Sequence, residues 1–245
     1  MSGRPTPTPG AKMQYLIKRR QGATREELVA HWFANHMPLV IAGQERAKEA
    51  GRLHAWRYIG TLFDAGKDGA HAWDGVAQLW WDEALPAPQE PHGTTPADSF
   101  QERALPYSPW ATTEYVVIDG SDHLSVRPNT LNQPFPCTRT GFVKATFLVG
   151  AKPGADTEAF FAHWLDVHVP NVKSAMERIG GWRYVVSHSL DPASAPYAGM
   201  AELYFDDATA FKAFLSTLEP DGMERWTDDA TSLVLRSQTE MIGIA

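Results

Sequence analysis

His36 and His168 are the residues best placed to do chemistry. Each lies two positions ahead of a proline, Pro38 or Pro170, that is expected to break or bend a helix before a second helical stretch to about Gly51 or Gly180, so each belongs in a last helical turn. There the negative end of the helix dipole favours the imidazolium form, and a histidine near its switching pH can pass protons. A capping role, with the ring bonded to free carbonyl groups, accounts for the same position. His31 and His163 stand five residues upstream. On a regular helix five steps set them about 140° from His36 and His168, so neither pair can share a metal ion as an i, i+4 pair does. No other spacing supports a metal site, and His31 and His163 read as packed against a sheet or bordering a ligand.

Strand-like segments offer the rest of a site. Trp56-Arg57-Tyr58 and Trp182-Arg183-Tyr184 put Trp and Tyr on one strand face and Arg on the other. Val76, Gln78 and Trp80 share a face, matched by Met200, Glu202 and Tyr204. Rings mixed with amides and one carboxylate suit a pocket that orients a small molecule, and equally suit a partly hydrated seam. Glu202 has an amide, Gln78, as its counterpart, and is the acid–base candidate beside His168 if one half alone is active. The expected catalytic set is His36, His168 and Glu202. The expected binding set is His31, His163, Trp56, Tyr58, Gln78, Trp80, Trp182, Tyr184 and Tyr204.

These residues recur in order, which says what must position them. His31-Trp32-Phe33-Ala34-Asn35-His36-Met37-Pro38 returns 132 residues later as His163-Trp164-Leu165-Asp166-Val167-His168-Val169-Pro170. Trp56-Arg57-Tyr58 returns after 126 residues, and Gly75–Asp82 returns as Gly199–Asp206 after 124. The chain reads as an internal duplication. In each half a strand (13–18 or 143–149) precedes a helix whose N-cap is Thr24 or Asp156. Two further strands follow, Leu53–Leu62 with Val76–Trp81 and Trp182–Ser189 with Met200–Phe205. A second helix is expected over Ala97–Leu105 and Ala208–Leu218, and a last strand over Thr113–Asp119 and Ser232–Ile242. The order β-α-β-β-α-β is ferredoxin-like. The halves span 12–119 and 142–245, residues 120–141 read as a linker, and residues 1–11 as a flexible tail. Each sheet has a bare face to cover, and two halves in one chain can cover each other, giving an α+β fold with an intrachain pseudo-dimeric barrel.

His-Trp-x-x-x-His-x-Pro, then Trp-Arg-Tyr, then Gly-x-Ala-x-Leu-aromatic-aromatic-Asp, together resemble the EthD family, twice over. The resemblance implies the dimeric α+β-barrel superfamily, whose paired ferredoxin-like units enclose small-molecule sites. Its relatives include cofactor-free monooxygenases and dehydratases of aromatic polyketides, muconolactone isomerase, and haem proteins such as chlorite dismutases. It implies a homodimer, while a sheet covered within the chain allows a monomeric pseudo-dimer.

Composition narrows the partners. Net charge is −7 with scattered Lys and Arg, which argues against nucleic acid. No apolar run is long enough to span a bilayer, and the single cysteine, Cys137, fits a cytoplasmic protein without disulfides. Nine tryptophans, within an aromatic fraction of 11%, suit either a stiff core or a ring-lined cavity. The function expected first is a cofactor-independent enzyme, of isomerase, dehydratase/lyase or oxygenase type. It would act by His-mediated proton transfer on a hydrophobic, aromatic or carbonyl-bearing small molecule. The alternatives are a non-catalytic carrier, or a haem or metal protein with one histidine as lone axial ligand in a wide apolar cavity.

Overall fold

Both helices that carry the His-Trp motif begin at their expected caps in the computed structural model, which describes residues 3–66, 72–124 and 135–245. Thr24 accepts the Glu27 amide while the Glu27 carboxylate accepts the Thr24 amide, a reciprocal box that starts α1 (Arg25–His31). Asp156 accepts the Ala159 amide and starts α3 (Thr157–His163). Neither helix ends at its proline. The chain widens into a π-helical turn, Trp32–His36 or Trp164–His168, and continues as α2 (Met37–Glu49) or α4 (Val169–Ile179). Pro38 and Pro170 have no amide to give the carbonyl four residues back. The preceding amides, of Met37 and Val169, reach five back to the carbonyls of Trp32 and Trp164. His36 and His168 are therefore mid-helix, and the helix-end dipole expected to favour their charged form does not act on them.

The described residues form two compact units. The N-terminal unit comprises Gly10–Ala111, Gln238–Ala245 and the described part of Ser125–Thr140. Its strands are β1 (Ala11–Ile17), β2 (Arg57–Leu62), β3 (Gly75–Trp81), β5 (Cys137–Arg139) and β10 (Thr239–Ile244). They run antiparallel in the order β5-β10-β2-β3-β1. The C-terminal unit comprises Thr112–Leu124, Gly141–Ser237 and the described part of Met1–Pro9. Its strands are β4 (Trp110–Ile118, from Thr112 on), β6 (Val143–Val149), β7 (Arg183–Ser189), β8 (Gly199–Phe205) and β9 (Leu233–Ser237). They are also antiparallel, in the order β4-β7-β8-β6-β9. Each unit thus takes in a strand from the far part of the sequence: β10 lies beside β2, and β4 beside β7.

The closed pseudo-dimeric barrel is not formed. Closure requires the end strands to pair, but among the described residues β5 and β9 each have a single neighbour. The fold is α+β with a large open antiparallel sheet arrangement. The second helix is present only in the C-terminal unit, as α5 (Ala208–Thr217), capped by Asp207. Over 97–105 the chain makes successive turns instead, beginning after Pro96, with the Asp98 side chain accepting the Phe100 and Gln101 amides. The segment Ser232–Ile242 forms two strands, β9 and β10, rather than one. Residues 125–134 of the expected linker lie outside the described residues, while Cys137–Arg139 is strand β5. The N-terminal segment is not a free tail: Pro7 bridges Tyr115, the Thr8 amide donates to the Glu114 carbonyl, and Arg4 pairs with Asp166 at 3.0 Å.

One motif explains another. Gly75 and Gly199 open β3 and β8 because the tryptophan of the His-Trp motif lies against them. A Cβ at Gly75 would sit 2.9 Å from the Trp32 ring, and one at Gly199 would sit 2.9 Å from the Trp164 ring. Among the described residues no helix is long and apolar enough to cross a membrane.

Candidate functional site

Each unit carries an imidazole held by a carboxylate at the wall of an aromatic cavity. In the C-terminal unit the Nδ1 of His168 lies 2.7 Å from Asp221 Oδ2. The same oxygen accepts from Asn171 Nδ2 at 2.8 Å, and Asp221 Oδ1 accepts the Met223 amide at 3.1 Å. In the N-terminal unit His36 Nδ1 lies 2.6 Å from Asp98 Oδ2. Asp98 Oδ1 accepts the amides of Phe100 and Gln101 at 3.0 and 2.9 Å. Both carboxylates are aimed by turns of their own backbone and so have little freedom to leave the imidazole.

The electrostatics follow from this geometry. Burial works against ionisation of Asp221, but hydrogen bonds from Asn171, His168 and the Met223 amide outweigh it and hold the carboxyl below its ordinary range. Asp98 is lowered in the same way, with burial outweighed by His36 and the Gln101 and Phe100 amides. His168 is also lowered, because burial disfavours its charged form more than Asp221 favours it. A neutral His168 that donates Nδ1–H to Asp221 keeps its lone pair on Nε2. Among the described residues that nitrogen has no hydrogen-bond partner.

The His168 ring borders a cavity of about 300 Å³ together with Trp164, Tyr184, Leu203, Phe214 and Met223. The His36 ring borders one of about 290 Å³ with Trp32, Tyr58, Trp81, Phe100 and Tyr107. Tyr58 and Tyr184 thus lie where a ligand would be, both fully buried, with the Tyr58 hydroxyl accepting from Trp32 Nε1 at 3.1 Å. Burial pushes both phenols above their ordinary range.

Other expected residues lie elsewhere. Glu202 is not brought to His168. Ala201 and Leu203 line the cavity with His168, so alternation along β8 turns Glu202 to the opposite face, where Lys144 Nζ lies 2.6 Å away. Gln78, Trp80 and Tyr204 follow the same alternation. Gln78 donates to Gln14 Oε1 at 3.0 Å, and Trp80 and Tyr204 stack under Lys12 and Lys144. Trp56 precedes β2, so its ring does not share the Tyr58 face; it packs 6.4 Å from Trp80, with Arg57 over both rings. Trp182 packs on Tyr204 and stacks with His123. His31 Nδ1 lies 2.9 Å from both Ser99 Oγ and Asn35 Nδ2, and His163 Nε2 stands 3.9 Å from Asp221 Oδ1.

His163 and His168 therefore face one carboxylate, contrary to the 140° separation on a regular helix. The π-turn between them brings residues five apart into line. Among the described residues no three His, Cys, Asp or Glu side chains gather as a metal cage. Sequence reasoning missed Asp98 and Asp221. A signal existed: they lie 123 residues apart, one short of the 124-residue spacing of the third strands.

Residues 152–231 match the EthD domain family, so the chain contains an EthD-domain segment. No curated protein matches the sequence. Among solved structures, an anthrone oxidase-like protein matches with a TM-score of 0.54 and 9% identity, over 96% of this chain and 94% of that one. A protein assigned as a chlorite dismutase matches with a TM-score of 0.50 and 8% identity, over 94% of both chains. A heme-binding protein of Thermus thermophilus matches at 0.39 and 11% identity, over 98% of this chain and 92% of that one. The first two of these likenesses show a shared fold. The structures that share this fold include a protein assigned as a chlorite dismutase, so the cofactor-independent isomerase, lyase or monooxygenase expected first is not supported.

Proposed function

We propose that the protein is a haem-binding protein of the chlorite-dismutase-like fold, in which His168 would hold the iron. The observation that carries this reading is the His168 ring itself, with Nδ1 fixed by Asp221 and Nε2 left open at the wall of an apolar cavity. The donor set suits a haem iron, because a ligating histidine characteristically gives its other N–H to a carboxylate, which fixes the tautomer and strengthens the donor. Burial keeps the imidazole neutral, as ligation requires. Trp164, Tyr184 and Phe214 supply flat apolar walls. A haem bound there would supply one-electron and oxygen chemistry. The chain's own part is to orient Nε2 through Asp221 and to keep water from the ring.

The first half reads as a diverged second copy of the EthD-like segment, since His36, Asp98, Trp32 and Tyr58 repeat the arrangement of His168, Asp221, Trp164 and Tyr184.

Titration of the purified protein with hemin tests the proposal. It expects a sharpened Soret band that saturates at one equivalent and is lost in His168→Ala. Free-hemin spectra at every ratio would sink it. A second reading has its own observation, the cavity volume. About 300 Å³ lies at the small end of small-molecule sites, which suits a carrier of a compact apolar ligand. Quenching of tryptophan fluorescence by such a ligand, without a Soret change, would favour the carrier.

A further inference from the structure

The two cavities are built on the same plan but lined differently, and the difference is chemical. Tyr15 on β1 borders the His36 cavity; the residue 132 positions later, Phe147, borders the His168 cavity and has no hydroxyl. Tyr107 and His92 add two more polar rings around His36, bridged to each other through their backbones. The Tyr15 and Tyr107 rings meet edge to face at 6.1 Å.

We propose that the cavity beside His36 is a separate ligand site, which takes a neutral aromatic molecule presenting an acceptor oxygen to the Tyr15 and Tyr107 hydroxyls. Three observations carry this. The half-buried Tyr15 side chain borders the cavity, and its hydroxyl has no hydrogen-bond partner among the described residues, so its O–H is available to a ligand. A hydroxyl open to the cavity and without a protein acceptor can donate to a ligand oxygen. The Tyr107 oxygen accepts from Gln101 Nε2 at 3.3 Å, which leaves its own O–H to donate. Finally, among the described residues no Asp, Glu, Lys or Arg lines the cavity, which suits a neutral ligand better than a charged one. Trp32, Tyr58, Trp81 and Phe100 form the walls for a flat ring.

The protonation states agree with this reading. Burial pushes Tyr15 and Tyr107 each up to about 12, so both remain donors throughout the neutral range. Burial, with His36 adding to it, lowers His92, which keeps that ring neutral. The site does not depend on what His168 binds.

Isothermal titration with acetophenone and with cumene, its near-isosteric hydrocarbon, tests the assignment. The wild-type protein is expected to bind the ketone about tenfold more tightly than the hydrocarbon, as one or two hydrogen bonds allow. Tyr15→Phe with Tyr107→Phe should erase that preference by weakening the ketone alone, with an unchanged circular dichroism spectrum. His168→Ala should leave the preference intact. Equal affinity for the two ligands in the wild type overturns the proposal without any variant. So does a ketone preference that survives the double substitution or disappears in His168→Ala.

Discussion

His168 Nδ1 and Asp221 Oδ2 lie 2.7 Å apart, and the direction of that contact is set by Asp221 itself, whose other oxygen is tied to the Met223 amide. The carboxylate is a positioning group for the imidazole. Asp221→Asn removes its charge and can present an N–H to Nδ1, which favours the wrong tautomer. We expect hemin affinity to fall about 10–100-fold, the usual effect of losing such a partner. Asp98→Asn, in the other unit, should leave the Soret titration unchanged. Comparing the two curves checks that the effect is local.

Glu202 is predicted to matter for stability and not for ligand binding at His168. It is buried against Lys144 at 2.6 Å, with side-chain exposures of 0% for Lys144 and 3% for Glu202. Removing one side of a buried ion pair leaves the other charge less well compensated and costs up to about 3–5 kcal/mol, whereas replacing both partners is milder. Urea unfolding should therefore show Glu202→Ala strongly destabilised and Lys144→Met/Glu202→Leu largely restored. Hemin binding lost in proportion to neither would leave Glu202 structural; a specific loss in a stably folded Glu202→Gln would return it to the site.

The elements around the site were legible wherever local chemistry decides. The Thr24 and Asp156 caps, the paired strands and the facing of Ala201 and Leu203 follow from spacing alone. A break or bend near Pro38 and Pro170, with helix resuming toward Gly51 and Gly180, was legible, but not the five-residue turn that keeps the helix continuous there. Missing that turn moved His36 and His168 to a helix end and set His163 on the wrong side of His168. Asp98 and Asp221 were missed for a related reason. They sit in turns after Pro96 and Pro220, where no periodicity exists, and only their common spacing in the repeat marks them. The barrel was inferred from the need to cover a bare sheet face, but residue patterns do not say which strands end as edges. Nor do they show that β10 pairs with β2 and β4 with β7.

Gly199→Ala should destabilise the C-terminal unit. The added methyl would meet the Ser187 carbonyl oxygen at 2.7 Å and the Trp164 ring at 2.9 Å, and neither the strand nor a fully buried indole can yield cheaply. Overpacking of this kind costs about 1–3 kcal/mol. Gly141→Ala serves as a contrast, since its Cβ would meet nothing within 4 Å and only its φ of 93° opposes the change. Denaturant midpoints of the two variants check whether contact with Trp164 dominates.

His188 makes the acid side of the stability curve steep. Its ring is stacked 4.1 Å from Phe161 and packed on Tyr115 and Trp164, and burial, with Arg4 contributing, pulls its pKa down to about 3. The folded state therefore holds His188 neutral, while the unfolded chain takes up a proton once the pH falls below about 6.5. Because the unfolded state binds the extra proton, stability falls with acidification from about 6.5 toward 3 and is not regained on going lower. Between pH 6.5 and 5 the loss from this one group is about 2 kcal/mol. His188→Phe fits the same aromatic surroundings and removes the titration, so its unfolding free energy should be flatter with pH by that amount. Unchanged pH slopes in the variant would mean that the imidazole already reaches a hydrogen-bond acceptor or solvent in the folded protein.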